Sequence, residues 1–242
     1  MKNTYIVKKA VENPGGLATS NVPETSHPIW DNIPALSIGC YPWNTNNYMP
    51  KTEVKLYYTD SYLGIYFKSW ENEIKITYRN MNDEVYMDSC VEFFFKPKPG
   101  TDNRYFNFEM NAIGTLLLGL GSDRYDRVRI SLDNPFEVFN ISTSVPREAA
   151  MNPGNCNPAI DKISGNIYKL PGGYWTVEYK IPFAFIEKYL GKMDIKPGYR
   201  MEANFYKCGD EAPFPHYGCW NYIRNASPDF HRPEFFGDLI LE

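Results

Sequence analysis

The sequence predicts an all-β protein: a β-sandwich of two antiparallel sheets, in a jelly-roll or immunoglobulin-like layout, with one short helix. Three observations carry that expectation. After Trp30, apolar residues alternate with polar ones at period two through most of the chain. Aromatic residues are abundant, 19 Tyr, 15 Phe and 5 Trp among 242 residues, and such side chains fit a pleated surface and offer rigid faces to a ligand. One segment, from Pro182 to Gly191, carries a helical apolar stripe between a start and a stop signal.

Residues 1–25 hold Pro14-Gly15-Gly16 and few periodic apolar positions, so they read as an extended segment before a single domain over residues 26–242. Val54, Leu56 and Tyr58, then Leu63, Ile65 and Phe67, alternate about Thr59-Asp60-Ser61 and predict a hairpin. Over residues 89–96, Val91, Phe93 and Phe95 point one way and Cys90, Glu92 and Phe94 the other, until Pro97 and Pro99 stop the strand. Over residues 105–111, Phe106, Phe108 and Met110 share the core face, and Tyr105, Asn107, Glu109 and Asn111 share a polar, amide-rich face. Gly119-Leu120-Gly121 reads as a hairpin turn. Weaker strands are expected at residues 127–132, 136–142 and 238–241. Trp175, Val177, Tyr179 and Ile181 continue the pattern, as do Met201, Ala203 and Phe205, with Glu178, Lys180, Glu202, Asn204 and Tyr206 opposite. Between them Pro182 starts the helix, Phe183, Phe185, Ile186 and Tyr189 form its stripe, and Gly191 ends it. About ten short strands then need two sheets, because each buries an apolar face against the other.

Several function classes lack their chemistry. The net charge is −4 and no basic run exceeds Lys8-Lys9, so nucleic acid is not an expected partner. The longest apolar stretch, residues 113–121, is too short to cross a bilayer. The opening residues lack the apolar centre of a secretory leader, which points to the cytoplasm, or to an extracellular protein if a leader has been removed. No G-x-S-x-G or H-E-x-x-H motif occurs, Gly119-Leu120-Gly121 is not followed by a helix, and His27, His216 and His231 lie in loops. The five cysteines form no C-x-x-C pair, and their odd number leaves a free thiol; Cys90 reads as buried, and Cys208 with Cys219 is the candidate facing pair.

Positive chemistry concentrates on the sheets. Glu92, Glu109, Glu178 and Glu202 could share one face, and two carboxyls at the right separation would make a glycoside hydrolase. Met87, Met110 and His231 are candidate haem ligands by residue type alone, and exposed aromatics could instead mark a protein-binding surface. The combination of aromatics, amides and carboxylates fits sugar recognition best, since a pyranose packs its C–H face on a ring and offers hydroxyls to fixed polar groups. Asn107, Glu109 and Asn111 share a face, Glu92 and Glu202 adjoin from neighbouring strands, and Trp220 is a candidate wall.

Four motifs bring a family into view. Asp88-Ser89-Cys90-Val91-Glu92-Phe93-Phe94, the stretch from Tyr105 to Gly114, Gly173-Tyr174-Trp175-Thr176-Val177-Glu178 with Ile181-Pro182-Phe183, and the stretch from Phe230 to Leu239 occur in this order. With them the chain, over roughly residues 25–242, resembles the family 9 carbohydrate-binding modules. The resemblance implies a non-catalytic β-sandwich that clamps a mono- or oligosaccharide between two aromatic rings, as an accessory to polysaccharide degradation. By position the rings would be Tyr86 and Phe230, where well-known members carry tryptophan, and the hydrogen-bonding glutamate would be Glu92. Glu109 stands where a basic residue is expected, and Asn111 matches. A structural calcium ion is also implied, with no ligands assigned; no organic cofactor is.

Overall fold

The structure, a computed structural model, describes residues 2–10, 28–148 and 160–242. In chain order the first strands are β1 (Thr4–Lys9), β2 (Leu36–Ser37), β3 (Thr52–Tyr58), β4 (Tyr62–Ser69), β5 (Glu73–Lys75), β6 (Cys90–Lys96), β7 (Tyr105–Asn111) and β8 (Leu116–Gly121). They are followed by β9 (Arg127–Arg129), β10 (Ser142–Thr143), β11 (Asp161–Ser164), β12 (Ile167–Lys169), β13 (Trp175–Pro182), β14 (Arg200–Cys208), β15 (Tyr217–Cys219) and β16 (Gly237–Leu241). Helix α1 (Pro135–Val138) precedes β10, and α2 (Phe183–Leu190) follows β13.

These strands form the two expected layers. One runs β16-β14-β6-β7-β8-β9, antiparallel throughout, with β15 beside the far half of β14. The other runs β10-β13-β4-β3, also antiparallel, with β2 against β3. Strand β1 belongs to both: Thr4 to Val7 pair in parallel with β16, and Lys8 and Lys9 pair in parallel with β3. Thr4 to Lys9, expected in a leading segment outside the domain, are thus part of the sandwich, with Tyr5 and Val7 in its core; residues 11–27 lie outside the described residues. Strands β5, β12 and β11 make a small separate sheet.

The alternating apolar set fills the space between the layers. Phe93 lies flat on Phe205 at 4.8 Å and on Phe95 at 4.6 Å, while Phe108 stacks on Tyr179 of the opposite layer at 6.0 Å. Each such side chain contributes about 1.5–3 kcal/mol by leaving water. Helix α2 ends at Gly191, whose φ of 73° is easily reached only without a Cβ.

Three expectations need correction. Residues 136–142 do not form a strand: Pro135 occupies the first turn of α1, the Asn134 side chain accepts the Glu137 N–H, and only Ser142 and Thr143 are extended. Gly119 to Gly121 end strand β8 rather than making a turn, and a Cβ on Gly119 would come within 2.3 Å of Asn107 Oδ1. Cys208 does not face Cys219: it lies opposite Cys90 across β14 and β6, while Cys219 pairs with Cys40, and all four are free thiols. Cys156 and His27 lie outside the described residues.

The outer face of β6, β7 and β14 positions the site. All seven residues of β7 are buried, including the polar set that period two alone would leave facing water. Residues 84–88, 209–217 and 224–236 fold over this face, and a second apolar cluster of Phe94, Tyr105, Leu117, Tyr206, Phe230 and Phe236 forms beneath them.

Candidate functional site

Antiparallel register places Tyr206, Glu92, Glu109 and Leu117 in one row across β14, β6, β7 and β8. A cavity of about 460 Å³ opens above it. Glu92 and Glu109 form the floor. The walls are Tyr86 from the turn before β6, Arg124 and Arg127 around the start of β9, Cys208, Asp210 and Tyr217 around the β14–β15 connection, and Pro228 to His231.

Phe230 is held flat against Tyr206 with ring centres 4.1 Å apart, and the Tyr206 hydroxyl donates to the Phe230 carbonyl at 3.0 Å. His231 sits between Tyr105, whose hydroxyl is 2.8 Å from Nδ1, and Arg127, which reaches Nε2. The same guanidinium nitrogen also lies 3.2 Å from Nδ1, so Arg127 faces both ring nitrogens. Burial, reinforced by Arg127 and Arg124, pushes His231 down to about 2, so the ring is neutral.

The acids are displaced the other way. Burial pushes Glu109 up to about 7, against the pull of Arg127, whose guanidinium lies 3.8 Å away, and of Asn107, which donates to Glu109 Oε1 at 2.8 Å. Glu92 rises well above the carboxylate range, through burial first and then its neighbours Cys208 and Glu109. Burial also raises Asp210 to about 6, partly offset by Arg124, and Tyr86 to about 12. Asp229 pairs with Arg124 at 3.4 Å and accepts the His231 N–H at 3.1 Å. With Arg124 and Arg127 each beside a carboxyl group, the lining mixes donors, acceptors and rings, a pattern suited to hydroxyl groups rather than to a strongly charged ligand.

Of the six residues expected at a binding site, this cavity collects Tyr86, Glu92, Glu109 and Phe230. Asn111 lies outside it: its side chain donates to Tyr78 O and Asp88 Oδ2 and accepts the N–H groups of Ile113 and Thr115, tying the β5–β6 connection to the β7–β8 turn. Trp220 is also elsewhere, in the core between the sheets, edge-on to Phe205 at 5.5 Å. The four-glutamate face reduces to one pair, because Glu178 lies on the other layer opposite Tyr66 and Glu202 is bound by Arg200. Met110 is in the inter-sheet core, on the opposite face of β7 from the pocket, so it does not pair with His231.

Arg124, Arg127, Asp210, Tyr217 and Asp229 escaped sequence reasoning, and His231 was weighed only as a haem ligand. Only adjacency to Phe230 marked Asp229, and nothing local announced the other four. Among the described residues, the group of three or more metal-ligating side chains close enough to share an ion is Cys90, Glu92 and Cys208. Calcium takes six to eight oxygen ligands, so this sulfur-rich set does not fit the ion that the family resemblance implied.

A family model described as carbohydrate-binding family 9 matches residues 29–241. Among solved structures, a candidate carbohydrate-binding protein from Bacteroides uniformis superposes with a TM-score of 0.77 at 24% identity, over 100% of both chains. A family 9 module from Caldicellulosiruptor kristjanssonii in complex with cellotriose gives 0.55 at 14% identity, over 99% of this chain and 94% of that one. Its complex with glucose gives 0.56 at 15%, over 99% and 96%. No curated protein matches the chain.

Proposed function

The chain belongs to carbohydrate-binding family 9, a family of non-catalytic modules, and we propose that it holds a neutral mono- or oligosaccharide in the cavity above Glu92 and Glu109. The observation that carries this reading is the joining of fixed rings and paired polar groups in one recess of about 460 Å³. Phe230, braced by Tyr206, and Tyr86 supply surfaces for the C–H face of a pyranose. Arg127, Asp229, Asp210 and Glu109 meet its hydroxyls, each already oriented by a protein partner or by burial, so little ordering accompanies binding. Glucose and cellotriose, held by the Caldicellulosiruptor module, are the first ligands to try. Family membership also supports an accessory role in polysaccharide breakdown.

A thermal-shift screen of neutral mono- and oligosaccharides tests the reading, because a ligand of the native state raises the melting temperature as its concentration passes the dissociation constant. The expected result is a dose-dependent rise with one sugar class, lost in Phe230→Ala and Tyr86→Ala. A rise that both variants retain would place binding elsewhere, and no rise up to tens of millimolar sugar would defeat the proposal.

A further inference from the structure

We propose that Cys90, Cys208 and Glu92 form a site for a thiophilic divalent cation, with zinc the type case, in the wall of the pocket. Cys90 and Cys208 are directly opposed across β6 and β14, and Glu92 follows two residues along the same face. The two sulfurs and a carboxylate oxygen all lie within 4.8 Å of one another, and Cys208 Sγ is 3.1 Å from Glu92 Oε1. Around tetrahedral zinc, with bonds of about 2.3 Å to sulfur and 2.0–2.2 Å to oxygen, neighbouring donors stand roughly 3.5 Å apart. Small side-chain rotations bring the three into that arrangement.

A second observation also points to an ion. Glu92 is buried, yet its hydrogen-bond partner among the described residues is the Cys208 thiol, a weak donor for a carboxyl group. The nearby cations are engaged elsewhere: Arg127 with Glu109, Arg124 with Asp229, and Lys207 on the opposite face of β14 with Glu71. Among the described residues, therefore, no cation forms an ion pair with Glu92 or Asp210 at the end of the pocket that holds Cys208, with Cys90 buried beside it.

Two sulfurs and one carboxylate select zinc or a similar soft ion over calcium or magnesium. Binding releases the protons of the two thiols and of Glu92, up to three per ion. Since Glu92 and Cys208 line the cavity, the fourth coordination position opens onto it, for water, Asp210 or a ligand hydroxyl. The opposed pair Cys40 and Cys219 has no third ligand group among the described residues and serves as an internal control. The site does not depend on the sugar reading.

The test is a cobalt(II) titration of the tag-free, phosphine-reduced protein, followed by zinc. One equivalent of cobalt should produce a near-ultraviolet thiolate-to-cobalt charge-transfer band, and zinc should abolish it. Cys208→Ser and Cys90→Ser should remove the band, Glu92→Gln should weaken cobalt binding about tenfold or more, and Cys40→Ser should leave it unchanged, with circular dichroism verifying each fold. Absence of the band in the wild-type protein overturns the site whether or not the variants fold. Its survival in folded Cys208→Ser, or its loss in folded Cys40→Ser, would do the same.

Discussion

Replacing Glu71 with glutamine should destabilise the protein by about 3–5 kcal/mol, the cost of leaving a buried charge without its partner. The charge is Lys207, whose ammonium has no solvent exposure and sits 3.2 Å from Glu71 Oε2, 2.8 Å from His216 Nε2 and 2.9 Å from the Cys208 carbonyl. Glu71 Oε2 also accepts from Trp175 Nε1 at 2.6 Å and from Ser69 Oγ at 3.2 Å. The amide oxygen of glutamine can keep those two bonds, which isolates the loss of the negative charge. A lone Lys207→Met change should cost a similar amount, because it strands the carboxylate. The double variant Glu71→Gln with Lys207→Met should return to within about 2 kcal/mol of wild type, since it leaves neither buried charge without its partner. Urea unfolding of the four proteins at one pH measures each difference and the coupling between the sites. The reasoning fails if Glu71→Gln costs less than about 1 kcal/mol, or if the double variant shows the sum of the single losses. The network also ties His216 to β14 at the end of the connection that carries Asp210 and Tyr217, so its rupture should loosen one pocket wall.

Three further outcomes follow from the same geometry. Asn111→Ala removes four hydrogen bonds that join two loops, so it should cost about 2–4 kcal/mol in urea unfolding while leaving sugar affinity of the folded protein unchanged; a weakened affinity with intact stability would put Asn111 back at the ligand. Tyr206→Phe deletes the bond to the Phe230 carbonyl and should weaken sugar binding a few-fold and stability by about 1 kcal/mol, whereas unaltered affinity would mean that this bond does not hold the ring. His216 is pushed down to about 2, by burial and then Lys207, against its bond to the Phe214 carbonyl. The unfolded chain therefore takes up a proton below about pH 6.5 that the folded protein refuses, and this share of stability is lost as pH falls from about 6.5 toward 2. Relative to His216→Gln, the wild type should lose about 2 kcal/mol between pH 7 and pH 5; parallel pH profiles would show that the ring is not held neutral.

Strand positions were legible because period two survives in local sequence: β3, β4, β6, β7 and β13 fall where alternation places them. Alternation reports two chemically different faces, and it does not say what covers them. The polar, amide-rich face of β7 was thus legible, but not the three distant loops that close over it. The same logic misread residues 136–142, where Phe136 and Val138 alternate but Asn134 and Pro135 supply a cap and a first turn. Motif resemblance located Tyr86, Glu92 and Phe230, all of which line the cavity. Arg127, Asp210 and Tyr217 depend on the strand order β14-β6-β7-β8-β9 and on loop closure, long-range facts with no local signature. Trp220 follows β15, and its backbone N–H donates to Phe205 O, which turns an expected wall residue into the core.

The measurement closest to the central claim is a crystal structure of the protein with the sugar that gives the largest thermal shift. The account predicts one sugar ring against Phe230 or Tyr86, with hydroxyls within hydrogen-bond distance of Glu109 and Arg127. A sugar bound outside this cavity, or in it without contact to either ring, would contradict the account.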